Sequence, residues 1–137
     1  MKPLPEKSRA DERASRKNIA MQISPAAERK LRHGHPWLFD QAIRKQSHAG
    51  QAGDLAIIFD QKRQFIAAGL YDPYSPIRVR VLQHRHPATI NTEWFQKKIQ
   101  AAFELRTDLP ANTNGYRLIH GENDGFPGLV LDQYDKT

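Results

Sequence analysis

The chain has no cysteine among its 137 residues, which excludes disulfides, thiolate-held zinc or iron–sulfur centres and any thiolate nucleophile within it. Long apolar runs are missing too, and none approaches the roughly 18 residues that a membrane-spanning helix needs. The first 17 residues, MKPLPEKSRADERASRK, lack the apolar stretch of a secretory signal, so the expected compartment is the cytoplasm. Neither the dinucleotide fingerprint G-x-G-x-x-G nor the phosphate loop G-x-x-x-x-G-K-[ST] occurs, and the hydrolase elbow G-x-S-x-G is absent as well.

Basic charge is plentiful. Lys and Arg number 21 against 15 Asp and Glu, a formal charge of +6. Residues 1–50 hold 11 basic and 5 acidic groups, residues 51–100 hold 7 and 4, and residues 101–137 hold 3 and 6. A basic front half followed by an acidic end is the footprint of a polyanion binder with its contacts in the first hundred residues.

Residues 1–18 form a polar stretch with too little apolar surface to offset the entropy of ordering, and are expected to be a flexible tail. Residues 19–23 alternate as a half-buried strand does. Ser24 and Pro25 then read as the cap and first position of a short helix ended by Gly34. Residues 55–59 and 65–71 make a hairpin around a polar turn, and residues 77–82 place Ile77, Val79 and Val81 on one face and Arg78 and Arg80 on the other. A helix capped by Asn91 or Thr92 follows, with Trp94, Phe95, Ile99, Ala102 and Phe103 at helical spacing. Two further strands, 116–120 and 129–134, flank the turn GENDGFPG. The succession has no βαβ rhythm, so the expected class is α+β, mainly β: a small barrel, a helix and a hairpin.

Arg29, Lys30 and Arg32 crowd one short helix, and His35 and Trp37 follow directly. Arginine suits phosphate because its planar fork donates two parallel hydrogen bonds while staying charged. Trp37 reads as core rather than as a stacking platform. The pairs His33/His35 and His84/His86 have metal-ligand spacing, but both fall in turn sequence with no third ligand nearby, so they read as surface or phosphate-contacting histidines and no metal is expected. Glu122 and Asp124 sit among Gly121, Gly125 and Gly128, where acidic side chains commonly bond their own backbone, and are read as turn formers.

Three stretches, LRHGHPWLF (31–39), GDLAIIFDQKRQFIAAGLYDPYSPIRVRVL (53–82) and YRLIHGENDGFPGLVLDQY (116–134), resemble in order and spacing the N-terminal part of RlmI-like class I methyltransferases. These are S-adenosylmethionine-dependent enzymes that methylate cytosine carbon 5 in large-subunit ribosomal RNA. The resemblance covers about residues 19–137. It implies a PUA domain, an RNA-binding pseudo-barrel, over 19–90, and over 91–137 a helix and β-hairpin that begin a linking region before a catalytic domain. The family's G-H-P-W turn is Gly34, His35, Pro36 and Trp37 here, and its I-R-V-R strand is Ile77, Arg78, Val79 and Arg80. Asn123 stands where the family usually has Ser, and Asp72 where it has Asn.

Enzymes of this kind attack the cytosine with a cysteine thiolate and hold the cofactor in a Rossmann-like domain. The chain has neither, so it is expected to be inactive alone, with no catalytic or cofactor-binding residue of its own, and to belong to a longer S-adenosylmethionine-dependent parent. The RNA-binding residues are expected to be Arg29, Lys30, Arg32, Gly34, His35, Arg78 and Arg80, and the partner structured large-subunit ribosomal RNA. A homodimer through an exposed apolar patch is a further expectation. The alternatives are a stand-alone RNA-binding adaptor and, through the histidine pairs, a small metal-dependent hydrolase.

Overall fold

A computed structural model describes residues 16–107 and 115–135. The expected flexible tail lies, up to residue 15, outside them. Strand β1 (Ile19–Ile23) leads into helix α1 (Pro25–Arg32), β2 (Trp37–Phe39), a 3-10 turn (Asp40–Ala42) and β3 (Ile43–Gln46). Strands β4 (Leu55–Phe59), β5 (Phe65–Tyr71) and β6 (Ile77–His84) follow, then α2 (Thr92–Glu104), β7 (Gly115–His120), a second 3-10 turn (Gly121–Asp124) and β8 (Val130–Tyr134).

The first six strands form one sheet in the order β2-β6-β5-β4-β1-β3. Only β1 and β4 run parallel; the other neighbours are antiparallel. The two edge strands, β2 and β3, are consecutive in the chain and joined by the three residues of the first 3-10 turn. So short a link forces the sheet to curl until its edges approach, which makes the expected pseudo-barrel. Register shifts in β1, β2, β4 and β5 supply the bending. The closing turn is held by Ser24 N–H to the Ala42 carbonyl at 2.8 Å and Asp40 N–H to the Pro76 carbonyl at 2.9 Å.

Alternation decides what lies inside. Ile19, Met21 and Ile23 point to the interior with Ala56, Ile58, Val79, Val81 and Leu38, while α1 plugs the barrel with Ala27 and Leu31. Central strand β5 is buried along almost its whole length. At Gly69 any Cβ would run into the Arg80 carbonyl of β6, so the close approach of these two strands requires glycine.

A second, smaller core lies between α2 and the β7–β8 hairpin, where Ala102, Ile119 and Phe126 are buried and Phe95, Ile99 and Leu118 pack around them. Of the two expected caps Asn91 is the one used: its side chain accepts the Trp94 N–H at 2.9 Å. The strands β2 and β3 were not foreseen, because three or four residues are too few to show a period. Their pairing comes from barrel closure rather than from local sequence.

Candidate nucleic-acid interface

Helix α1 begins as its sequence requires, with the Ser24 hydroxyl accepting the Ala27 N–H at 3.3 Å and Pro25 in the first turn. It ends in a motif that satisfies two final carbonyls. Gly34, at φ +90°, lets its N–H reach the Leu31 carbonyl at 3.0 Å while the His35 N–H reaches the Lys30 carbonyl at 3.1 Å. The last turn carries Arg29, Lys30 and Arg32, whose charge is favoured at the negative end of the helix dipole.

Reversal at Gly34 brings the following loop back beside the helix. A groove of about 580 Å³ results, lined by Ala26, Arg29, Lys30, His33, Gly34 and His35. A recess of about 270 Å³, whose lining includes Lys30, Leu31, His35, Trp37 and Phe39, adjoins it. His35, Trp37 and Phe39 meet ring to ring at 6.1 to 6.5 Å, and Phe39 is 45% exposed. The His35 Nδ1 accepts the Trp37 N–H at 3.2 Å, and the His84 Nε2–H donates to the His35 carbonyl at 2.9 Å. These bonds fix the loop geometry. His84, read from sequence as a loop residue, in fact ends β6. Among the described residues no three His, Cys, Asp or Glu side chains are grouped to hold a metal ion.

Four of the seven expected RNA-binding residues therefore share one groove: Arg29, Lys30, Gly34 and His35. Neither Arg29 nor Lys30 has a carboxylate partner among the described residues. The other three stand apart. Arg32 turns to the far flank of α1 and donates to Asp60 at 2.9 Å. The Asp60 carboxyl, which also accepts the Gln64 and Lys62 amides at 2.8 Å, is thereby held below its ordinary range, the Gln64 amide contributing most against the opposing effect of burial. Arg78 reaches Asp40 at 3.6 Å and the Ser75 carbonyl at 3.3 Å. Arg80 pairs across strands with Trp37 and packs against Gly128.

The two carboxylates of the GENDGFPG turn do more than shape it. Glu122 accepts the Trp37 indole N–H at 3.1 Å, and its carboxyl lies below the usual glutamate range, chiefly through its own backbone N–H, with help from Trp37, Gly128 and the charge of Arg80 against desolvation. Asp124 takes the Arg106 guanidinium at 2.7 Å and the His120 N–H at 2.6 Å. Burial pushes its carboxyl up, but these two donors prevail and hold it low. Trp37 is thus neither fully core nor a free platform: it is half-buried and joins the barrel to the hairpin. Sequence offered no signal for that bond.

Residues 21–84 match the model of a PUA-like domain. Over 127 residues the chain is 40% identical to a ribosomal RNA large subunit methyltransferase of Deinococcus radiodurans, covering 88% of this chain and 31% of that protein. It is 34% identical over 117 residues to ribosomal RNA large subunit methyltransferase I of Alteromonas mediterranea, with 84% and 30% covered. Among solved structures, a proposed SAM-dependent methyltransferase from Streptococcus mutans superposes with a TM-score of 0.71 at 18% identity, over 85% of this chain and 31% of that one. A proposed methyltransferase complexed with SAH gives a TM-score of 0.70 at 20% identity, over 85% and 30%. The chain spans about 31% of the length of the first of these relatives.

Proposed function

We propose that the chain, whose residues 21–84 match the model of a PUA-like domain, is the RNA-binding N-terminal part of a SAM-dependent large-subunit ribosomal RNA methyltransferase. Its role is to grip structured RNA so that a cytosine meets the catalytic domain. The observation that carries this reading is the α1 groove, where Arg29 and Lys30 have no carboxylate partner among the described residues and the exposed ring of Phe39 lines the adjoining recess. Unneutralised cations release the counterions of a phosphate backbone on contact, and an exposed aromatic offers a face to an unpaired base. The His35 imidazole, which lines the same groove, adds a polar contact.

Cofactor chemistry does not belong to these residues. S-adenosylmethionine supplies the methyl group, and in a covalent mechanism a thiolate first adds to cytosine carbon 6 to make carbon 5 nucleophilic. With no cysteine and no glycine-rich cofactor loop, the chain contributes binding and orientation, and the methyl transfer falls to the part of the parent beyond it.

Titrating a fluorescent ribosomal RNA hairpin with the chain at several salt concentrations tests the reading. Affinity is expected to fall steeply with salt, and Arg29→Ala with Lys30→Ala to flatten the log–log slope by about 2, close to one per lost phosphate contact. Equal slopes for the variant and the parent sequence would reject the groove as the interface.

A further inference from the structure

A second recess lies on the outer face of the sheet. Pairing of Gln22 with Lys45 on one side and Phe59 on the other sets Lys45, Gln22 and Phe59 in one row across β3, β1 and β4. This row faces away from the core, since Ile19, Met21 and Ile23 take the inner positions of β1. With Ala20, Ser47 and Arg63 these side chains enclose a recess of about 290 Å³ whose lining contains no carboxylate. Neither Lys45 nor Arg63 has a carboxylate partner among the described residues.

Arg63 is placed there by construction. It occupies the left-handed region at φ +61° in the turn after β4, a conformation that glycine adopts more easily. Asp60 holds this turn through the Lys62 and Gln64 amides, and the same carboxylate is bonded to Arg32 of α1. The turn that raises Arg63 is therefore locked to the helix that carries Arg29 and Lys30. The two basic sites are thereby linked through one ion pair.

We infer that the recess between β1, β3 and β4 is a second nucleotide site, which takes a single-stranded extension of the RNA held in the α1 groove. An unpaired base stacks on Phe59, while Lys45 and Arg63 meet the flanking phosphates. The chemistry selects this occupant: an aromatic floor between two unpaired cations complements a flat base with a phosphate on either side, whereas a free anion gains nothing from Phe59 and an apolar peptide gains nothing from the cations. This inference rests on the RNA-binding reading of the α1 groove.

The test compares two RNAs on the whole chain, a bare hairpin and the same hairpin with a single-stranded tail carrying 2-aminopurine. The native sequence is expected to bind the tailed RNA about tenfold more tightly than the bare one, as one stacked base and its phosphates provide, with the 2-aminopurine quenched. Lys45→Gln combined with Arg63→Gly should erase that advantage and leave the bare hairpin's affinity unchanged. Glycine fits φ +61°, so this variant keeps its fold, which a thermal melt checks. Phe59→Leu should relieve the quenching. A native protein that binds the hairpin without a tail advantage, or a variant that keeps the advantage, overturns the second site alone; a native protein that binds neither RNA overturns the groove reading beneath it.

Discussion

The Trp37 indole N–H donates to the Glu122 carboxylate at 3.1 Å, a bond between residues 85 positions apart that ties β2 of the barrel to the turn between β7 and β8. Beside it Arg80, the cross-strand partner of Trp37, packs on Gly128 of the same loop. Residues expected from sequence to contact RNA and residues expected only to turn the chain thus meet in one junction.

That junction titrates with a definite sign. Because the Glu122 carboxyl sits below its ordinary value of about 4.5 in the folded protein, its stabilisation is complete above that value and is lost as pH falls through the lowered one. With Trp94→Phe leaving Trp37 as the sole indole, the emission should show an acid transition below about pH 4.5. Glu122→Gln keeps an acceptor for the indole and should remove most of that acid shift.

Asp124 binds Arg106 where both side chains are largely buried, 6% and 16% exposed. Asp124→Ala leaves the guanidinium without its counter-charge and the His120 N–H without its acceptor, and is expected to cost about 3 kcal/mol. The loss should fall on the smaller core. Amide exchange at Ile119 and Phe126 should quicken while that at Ile58 and Val79 stays slow, and uniform quickening in both cores would refute a local role.

Arg32 should behave unlike its neighbours on α1. Its guanidinium is engaged by Asp60, so Arg32→Ala is expected to lower the melting temperature and leave the salt dependence of RNA binding unchanged. A flattened salt slope for Arg32→Ala would show that the guanidinium leaves Asp60 for phosphate.

Gly69→Ala pushes a methyl group into the Arg80 carbonyl. The expected cost is about 2–3 kcal/mol, measured by urea unfolding.

Much of the architecture was legible because it is local. Alternation over residues 19–23 and 55–59, the Ser24-Pro25 start and Gly34 stop of α1, and the 3.6-residue spacing after Asn91 each constrain a few consecutive residues, and the structure repeats them closely. The strands β2 and β3 escaped because three or four residues have no period of their own. The candidate site was legible as composition but not as geometry. Seven residues suited to phosphate were evident, yet nothing in their spacing separates Arg29 and Lys30, which face an open groove, from Arg32 and Arg78, which face Asp60 and Asp40.

By itself the amino-acid sequence determined that this chain makes a small, mainly β barrel with a basic front, and that it lacks the thiol a covalent cytosine methyltransferase uses. Those properties follow from residue types and short-range periodicity. Tertiary structure alone decided which charges remain for a partner, because a cation is silenced only by a carboxylate that the fold carries to it, as Asp60 is carried to Arg32 across 28 positions. It also decided that Lys45, Phe59 and Arg63, scattered along the chain, share one recess, since strand register rather than sequence distance sets which side chains are neighbours.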